Sequence, residues 1–204
     1  DIHAGGNDLI FPHHENEIAQ NIGAKGKAPV KYWLHTNMLL MNGKKMSKSD
    51  GITISPEELI TGNSPHVTKG YDPMVVKFFM LQSHYRSTLD LTDEALQAAE
   101  KGYYKLTEGL KTLEKLTTNQ AGEGQLDQEI IGMLDLITDD MNDDFNTPKA
   151  ISRLFDLTNY INKMKDGHLP ADAVGKECLE HMKQEFKAFF LNVFGLSLDS
   201  GAGQ

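Results

Sequence analysis

The second half of the chain constrains the fold most, because residues 91–195 read as long amphipathic helices separated by short polar breaks. Apolar residues recur there at helical spacing, as in Ile130, Leu134 and Ile137. Long helices with short connections bury their apolar stripes by packing as antiparallel neighbours. We therefore predict an antiparallel helical bundle, with helices that begin near Thr92, Leu126, Thr147 and Asp172.

The first 54 residues differ in composition and pattern, with many glycines, histidines and short elements. The pattern predicts a strand that ends at Asp1–His3, a helix over Glu15–Ile22 and a strand over Lys31–Met41. Asn42-Gly43 follows, and this pair is typical of a tight type I′ turn. These alternating elements indicate the edge of an α/β domain.

Residues 55–90 mix short helices with loops. Ser55-Pro56-Glu57-Glu58 is a capping box with proline at the first helical position, so it predicts a helix start. Asp72-Pro73 predicts a second start. The first of these helices should end near Gly62.

Charge and composition exclude several classes of protein. The net charge is -9, whereas a protein that binds nucleic acid over its whole surface is basic, so any RNA contact must be local. The hydrophobic and charged fractions are ordinary for a soluble globular protein, and no apolar run reaches the roughly 18 residues of a membrane span. A single cysteine, Cys178, fits a reducing cytoplasm. The start on Asp1-Ile2-His3, without methionine or signal peptide, leads us to expect a fragment.

One cluster of candidate functional residues is Lys45-Met46-Ser47-Lys48-Ser49. Two lysines in a polar loop after a glycine turn can bind a polyphosphate and offset charge on leaving pyrophosphate. The alternative interpretation is a solvated basic loop. Taken alone, two lysines in six residues favour that alternative.

The other cluster runs from Gly5 to Glu17. Its glycines allow a ligand to approach the backbone, and Asp8 can accept both hydroxyls of a ribose. His13 and Glu17 are four residues apart, so they would share one helix face and could chelate zinc. The alternative is a helix start with exposed histidines and a surface Glu17.

Together the two clusters resemble the cysteinyl-tRNA synthetase family of class I aminoacyl-tRNA synthetases. The string from Asp1 to Glu17, DIHxGGxDLxFPHHENE, and the following KMSKS string carry the resemblance. Ser83–Ser87 and Asp143–Pro148 resemble segments of the family's connecting region and of its helical DALR-type domain. The resemblance extends to about Phe194.

The resemblance implies a mainly α fold, an antiparallel helical bundle preceded by the C-terminal remnant of an α/β Rossmann-like catalytic domain. It implies that residues 1–43 end this catalytic domain and that 44–90 hold the KMSKS loop and a stem-contact connecting region. Residues 91–196 would form the DALR-type bundle and 197–204 a disordered tail.

The resemblance also implies the reaction, in which cysteine and ATP, with Mg²⁺, give cysteinyl-adenylate, and the cysteinyl group passes to tRNA(Cys). Zinc held by two cysteines, a histidine and a glutamate would bind the substrate thiolate. By position, His13 and Glu17 match the histidine and glutamate ligands, and His14 is left structural.

The remaining assignments concern ATP and the adenylate. Lys48 matches the lysine that contacts ATP phosphates, with Lys45 supporting it as a second catalytic residue. Asp8 and Gly6 match the ribose-binding position, and His3 lines the pocket.

The two cysteine ligands and the HIGH signature are expected upstream of Asp1, and we expect the isolated chain to be inactive and to bind zinc weakly or not at all. Cys178 matches no ligand, and its place on a helix predicts a core residue. We expect a cytoplasmic monomer with no membrane contact.

Two alternatives stay open. A ligase that joins cysteine to an amino sugar in mycothiol synthesis shares both clusters but needs no tRNA. A non-catalytic tRNA-docking helical module would leave both clusters idle. Four lysines on the first long helix are candidates for RNA contact, with a plain solvated face as an equal alternative: Lys101, Lys105, Lys111 and Lys115.

Overall fold

The structure, a computed structural model, describes residues 1–47, 49, 51–170 and 172–198. The chain divides into two compact units by its internal contacts. The first unit comprises residues 1–54 and 83–92, and the second comprises residues 55–82 and the chain from Asp93 onward. The predicted functional boundaries at residues 43/44 and 90/91 remain a prediction.

The first unit contains a parallel strand pair joined by a helix. β1 (Ile2–Gly6) and β2 (Tyr32–Thr36) pair in parallel, and α1 (Glu15–Lys25) connects them. The predicted helix end at Ile22 is wrong by three residues, because the first left-handed residue is Gly26, at φ 70°. Its N–H donates to the Ile22 carbonyl and ends the helix there.

The predicted strand over Lys31–Met41 divides into two strands. β2 ends at Thr36, and β3 (Leu39–Met41) belongs to another sheet. There β3 lies between the antiparallel β4 (Lys44–Lys45) and the parallel β5 (Leu89–Leu91). The break falls at Asn37, whose N–H donates to the Tyr85 carbonyl rather than to a strand.

The predicted Asn42-Gly43 turn is confirmed. Both residues have positive φ, 50° and 74°, as a type I′ turn requires. The Gly43 N–H donates to Asp90 Oδ1 at 2.9 Å, which ties the turn to the middle of β5. This hairpin fixes the backbone that leads into the KMSKS segment.

The second unit is helical, and together with the α/β first unit it confirms the predicted fold class. Its core is filled by apolar side chains of the long helices, and the most extensive helix packing is that of α5 with α6 and of α4 with α3 and α6. A π-helical segment, Ala188–Val193, continues the last helix. The helices are α2 (Pro56–Thr61), α3 (Pro73–Leu81), α4 (Asp93–Lys115), α5 (Asp127–Asn142), α6 (Thr147–Lys165) and α7 (Lys176–Lys187).

Helix starts follow the sequence signals with one correction. The capping box at Ser55 and the cap at Asp72 are confirmed. The cap of α6 is Asn146, whose side chain accepts from the Lys149 N–H, while the Thr147 hydroxyl donates to the Leu81 carbonyl. The last helix begins at Lys176 rather than near Asp172, because Gly175 is extended.

At the C-terminus, the Tyr103 hydroxyl donates to the Ser197 carbonyl at 2.5 Å. The predicted disordered tail begins at this residue, and its residues 199–204 lie outside the described part of the chain. Among the described helices, none combines the length and the apolar character needed to cross a membrane.

Cys178 is a core residue, as predicted. Its side chain is buried on α7, and its thiol lies 3.8 Å from the Asp127 carbonyl, to which it donates. Desolvation by burial, aided by the nearby Asp127 charge, raises the pKa of the Cys178 thiol to about 12. A thiolate, the reactive form, is therefore scarce at neutral pH.

We accordingly expect Cys178 to react slowly with a disulfide reagent such as Ellman's reagent in the folded chain. Denaturation should release one rapidly reacting equivalent, because it removes the burial that disfavours the thiolate. The absorbance of released thionitrobenzoate measures both phases. Fast stoichiometric reaction of the native chain would contradict the burial of this residue.

Candidate active site

The candidate site is built on the parallel pairing of β1 with β2 in the first unit. The register places His3 opposite Trp33 and Gly5 opposite His35. Because side chains alternate along a strand, Trp33 and His35 point to the same face of β2. The rings of His3 and Trp33 lie with their centroids 4.8 Å apart.

His14 joins this group from the segment before α1. Its side chain is buried, and its Nδ1 lies 2.8 Å from His35 Nε2, so the two imidazoles share a hydrogen bond. A Cβ on Gly5 would stand 2.8 Å from the His14 ring carbon Cε1, closer than side chains tolerate. Glycine at position 5 therefore makes room for the His14 ring against β1.

Glu17 completes a set of metal-binding side chains. Its Oε2 lies 3.6 Å from His3 Nε2, and both side chains are about 40% exposed (36% for His3 and 43% for Glu17). One ligand atom from each of His3, His14 and Glu17 lies within 4.8 Å of the others. Two imidazoles and a carboxylate suit zinc, so these residues fit the metal that the resemblance implies.

The structure does not bring His13 into this group, and its side chain is exposed. The predicted pairing of His13 with Glu17 requires that both residues lie on one regular helix. The segment Ile10–His14 is instead irregular, with Phe11 extended at φ -121° and ψ 129°, and α1 begins only at Glu15. A four-residue spacing that starts before the helix does not fix a shared face. The pairing of His13 with Glu17 stays a prediction.

Gly6 and Asp8 lie where β1 ends. A Cβ on Gly6 would collide with the Asp8 carboxylate, so glycine allows that carboxylate to fold back beside the strand end. Asp8 is exposed, in the short 3₁₀ turn Asn7–Leu9. An accessible carboxylate above a glycine backbone is compatible with the predicted contact to ribose.

The two predicted catalytic lysines follow the β3–β4 hairpin. Lys45 is exposed on β4, opposite Leu40. Ser47 and Ile52 then exchange backbone hydrogen bonds of 2.9 and 3.1 Å, which close a short loop. Lys48 belongs to this loop in sequence but lies outside the described residues.

A pocket of about 370 Å³ opens beside the group formed by His3, His14 and His35. It combines aromatic rings with a guanidinium and an amide, groups that bind planar polar ligands. Trp33 and His35 were not predicted as site residues from the sequence, although their alternation on a strand was a usable signal. The lining residues, all of the first unit, are Asn7, Ile10, Trp33, His35, Tyr85 and Arg86.

Two family models match the chain. The tRNA synthetases class I (C) catalytic domain matches residues 1–101, and the DALR domain matches residues 137–199. The structure also resembles a LeuRS of Agrobacterium radiobacter K84, solved in a ternary complex with tRNA, with a TM-score of 0.60 and 20% identity over 92% of this chain and 27% of that one. A methionyl-tRNA synthetase of Mycobacterium tuberculosis gives a TM-score of 0.58 and 17% identity, covering 91% of this chain and 38% of that one. These structural likenesses concern the fold alone, and the family models identify a class I aminoacyl-tRNA synthetase chain.

Curated relatives specify the family within this class. A cysteine–tRNA ligase of Parabacteroides distasonis is 43% identical over 202 residues, which is 99% of this chain and 40% of that protein. The corresponding protein of Cytophaga hutchinsonii is 45% identical over 96% of this chain and 40% of its own length. That of Deinococcus radiodurans is 41% identical over 99% of this chain and 38% of its own length. The chain belongs to the cysteinyl-tRNA synthetase family and spans about 40% of the length of these relatives.

Proposed function

We propose that the complete protein to which this chain belongs activates cysteine with ATP and transfers the cysteinyl group to tRNA(Cys). The observation that carries the proposal is the match of nearly the whole chain to proteins named cysteine–tRNA ligase. In the first step the cysteine carboxylate attacks the α-phosphorus of ATP and expels pyrophosphate. In the second step a terminal ribose hydroxyl of tRNA attacks the adenylate carbonyl and expels AMP.

Lys48 and Lys45 are proposed to act on the first step. Negative charge accumulates on the β- and γ-phosphates as the bond to the α-phosphorus breaks, and an ammonium group there stabilises the transition state. Magnesium bound with ATP would share this role. The hairpin that carries Lys45 supports the assignment, because a short closed turn places exposed cations at one end of a sheet.

Asp8, Gly6 and His3 are proposed to hold the adenylate. The Asp8 carboxylate can accept hydrogen bonds from both ribose hydroxyls, and Gly6 lets the ligand lie against the backbone. His3 lies between Glu17 and Trp33, with its Nε2 3.6 Å from the Glu17 carboxylate and its ring centroid 4.8 Å from that of Trp33. A positioned ribose orients the α-phosphate toward the attacking carboxylate.

Glu17 is proposed as a zinc ligand, with imidazole supplied by the neighbouring histidines. The resemblance assigns His13 to this role, whereas the described geometry places His3 and His14 nearest to Glu17. Bound zinc offers a position that a soft thiolate fills better than a hydroxyl, so it would favour cysteine over serine. The isolated chain, which spans about 40% of its relatives, is proposed to bind zinc weakly and to form no adenylate.

The helical unit supports a tRNA synthetase over a cysteine–sugar ligase. A sugar ligase needs no tRNA-binding domain, whereas residues 137–199 match the DALR domain. Both enzymes would form the same adenylate, so adenylate formation alone does not separate them. Transfer of the cysteinyl group to tRNA distinguishes the two enzymes.

The test of activation is the exchange of labelled pyrophosphate into ATP by the complete gene product. Cysteine is expected to drive the exchange and serine to drive it far less. The same assay with the isolated 204-residue chain should give no exchange. Failure of the complete, folded product to exchange with cysteine would overturn the proposal.

A further inference from the structure

A groove of about 490 Å³ lies between α4 and α6 of the second unit. Its α4 side is one continuous face, since the lining residues follow at intervals of three or four, and α6 supplies the other side. Gly109 allows the two helices to approach closely there, since a Cβ at this position would stand only 2.9 Å from Thr158 Cγ2. The lining residues are Lys101, Tyr104, Lys105, Glu108, Gly109, Thr112, Asn162 and Lys165.

Three lysines of this groove have no ion-pair partner among the described residues, although the chain carries a net charge of -9. Lys101 and Lys165 are exposed without a described carboxylate in reach. Lys105 lies over the Phe155 ring, 5.6 Å from its centroid, and approaches Asn159 Oδ1 at 3.5 Å.

Two carboxylates of α4 already form ion pairs with lysines that do not line the groove. Glu100 pairs with Lys69 at 2.6 Å, and Glu108, inside the groove, pairs with Lys111 at 3.1 Å. The groove is therefore a local positive surface on an acidic protein. A local basic surface is the form that RNA contact must take on a chain of this charge.

The remaining lining groups suit a sugar–phosphate backbone. Tyr104, which is 41% exposed, together with Thr112 and Asn162, belongs to the residue types that contact phosphate and sugar oxygens alongside lysine. We propose that the groove between α4 and α6 binds the sugar–phosphate backbone of tRNA. This inference rests on the proposed function, because it identifies the surface through which the same substrate is held.

The test removes charge from the groove in the complete gene product. The variant Lys101→Gln/Lys105→Gln/Lys165→Gln should weaken binding of a tRNA(Cys) transcript by about 10-fold or more at moderate salt. The slope of log Kd against log salt should fall by about two to three, since three phosphate contacts are lost. Filter binding over a series of salt concentrations measures both quantities.

A matched control removes three lysines elsewhere in the same unit, as Lys149→Gln/Lys176→Gln/Lys183→Gln. This control should leave both Kd and slope near the wild-type values, although it changes the net charge equally. The variant Glu108→Gln removes the groove's own carboxylate and should tighten binding by about twofold. Misfolding would not raise the affinity for tRNA, so tighter binding by this variant would be an effect of the groove's charge.

Pyrophosphate exchange tests the proposed function, and the affinity for tRNA tests the groove. Cysteine-dependent pyrophosphate exchange needs no tRNA contact at the groove, so the triple groove variant should retain it. Loss of exchange in the wild-type product would overturn the function itself. Normal exchange with unchanged tRNA affinity in the groove variant, or equal losses in groove and control variants, would overturn the groove as the RNA surface.

Discussion

Replacing Glu17 by glutamine in the complete gene product is expected to remove bound zinc and to lower cysteine activation by at least about 100-fold. The amide keeps the size of the side chain but loses the negative charge and the strong oxygen donor. Glu17 Oε2 lies 3.6 Å from His3 Nε2, so the change acts inside the cluster of donors. Zinc content by atomic emission and pyrophosphate exchange measure the two losses.

Glu15 provides the matched control for Glu17. It is exposed in the first turn of the same helix, and Glu15→Gln should leave zinc content and exchange unchanged. Normal zinc content and activity in Glu17→Gln would show that this carboxylate is not a ligand.

Zinc content and the melting temperature distinguish the two adjacent histidines, His13 and His14. By the resemblance, His13→Ala should lose zinc while the fold stays intact. His14→Ala should lower the melting temperature, because His14 is buried and hydrogen-bonded to His35. The reverse result, zinc lost with His14→Ala and retained with His13→Ala, would assign the metal to His3, His14 and Glu17.

Replacing Lys48 by alanine should lower cysteine-dependent pyrophosphate exchange by about 100- to 1,000-fold, the range for removing a group that stabilises developing charge. The effect should fall mainly on the rate constant, since charge on the departing pyrophosphate is greatest in the transition state. Pyrophosphate exchange measured over a range of ATP concentrations separates the rate constant from the apparent affinity.

Lys44 is a control for Lys48 within the same hairpin. It is exposed on β4 and lies just before the KMSKS string. Lys44→Ala removes an equal charge and should change exchange by less than about threefold, as an exposed charge in high dielectric contributes little. Equal losses in both variants would indicate a general electrostatic effect rather than a contact made by Lys48.

Local signals in the sequence predicted much of the fold. The Asn42-Gly43 turn and the capping box at Ser55 depend on a few adjacent residues, and both are confirmed. Element ends were less certain, because they depend on contacts that local patterns do not contain. The break at Asn37 is an example, since its backbone bonds to Tyr85, which is distant in the sequence.

The candidate site was only partly predictable for the same reason. Glu17 and His3 were singled out from the sequence, and the structure brings them together. The places of His14 and His35 depend on parallel strand pairing and on the space that Gly5 leaves beside β1. The segment before α1 is irregular, so helical spacing does not predict the direction of the His13 side chain.

The most direct measurement of the central claim is the charging of tRNA with labelled cysteine by the complete gene product. We predict acid-precipitable cysteinyl-tRNA that forms with ATP and is lost with Lys48→Ala. Serine should not be charged to a comparable extent. Cysteine-dependent pyrophosphate exchange without any charging of tRNA would contradict the account and would point to a ligase that transfers cysteine to another acceptor.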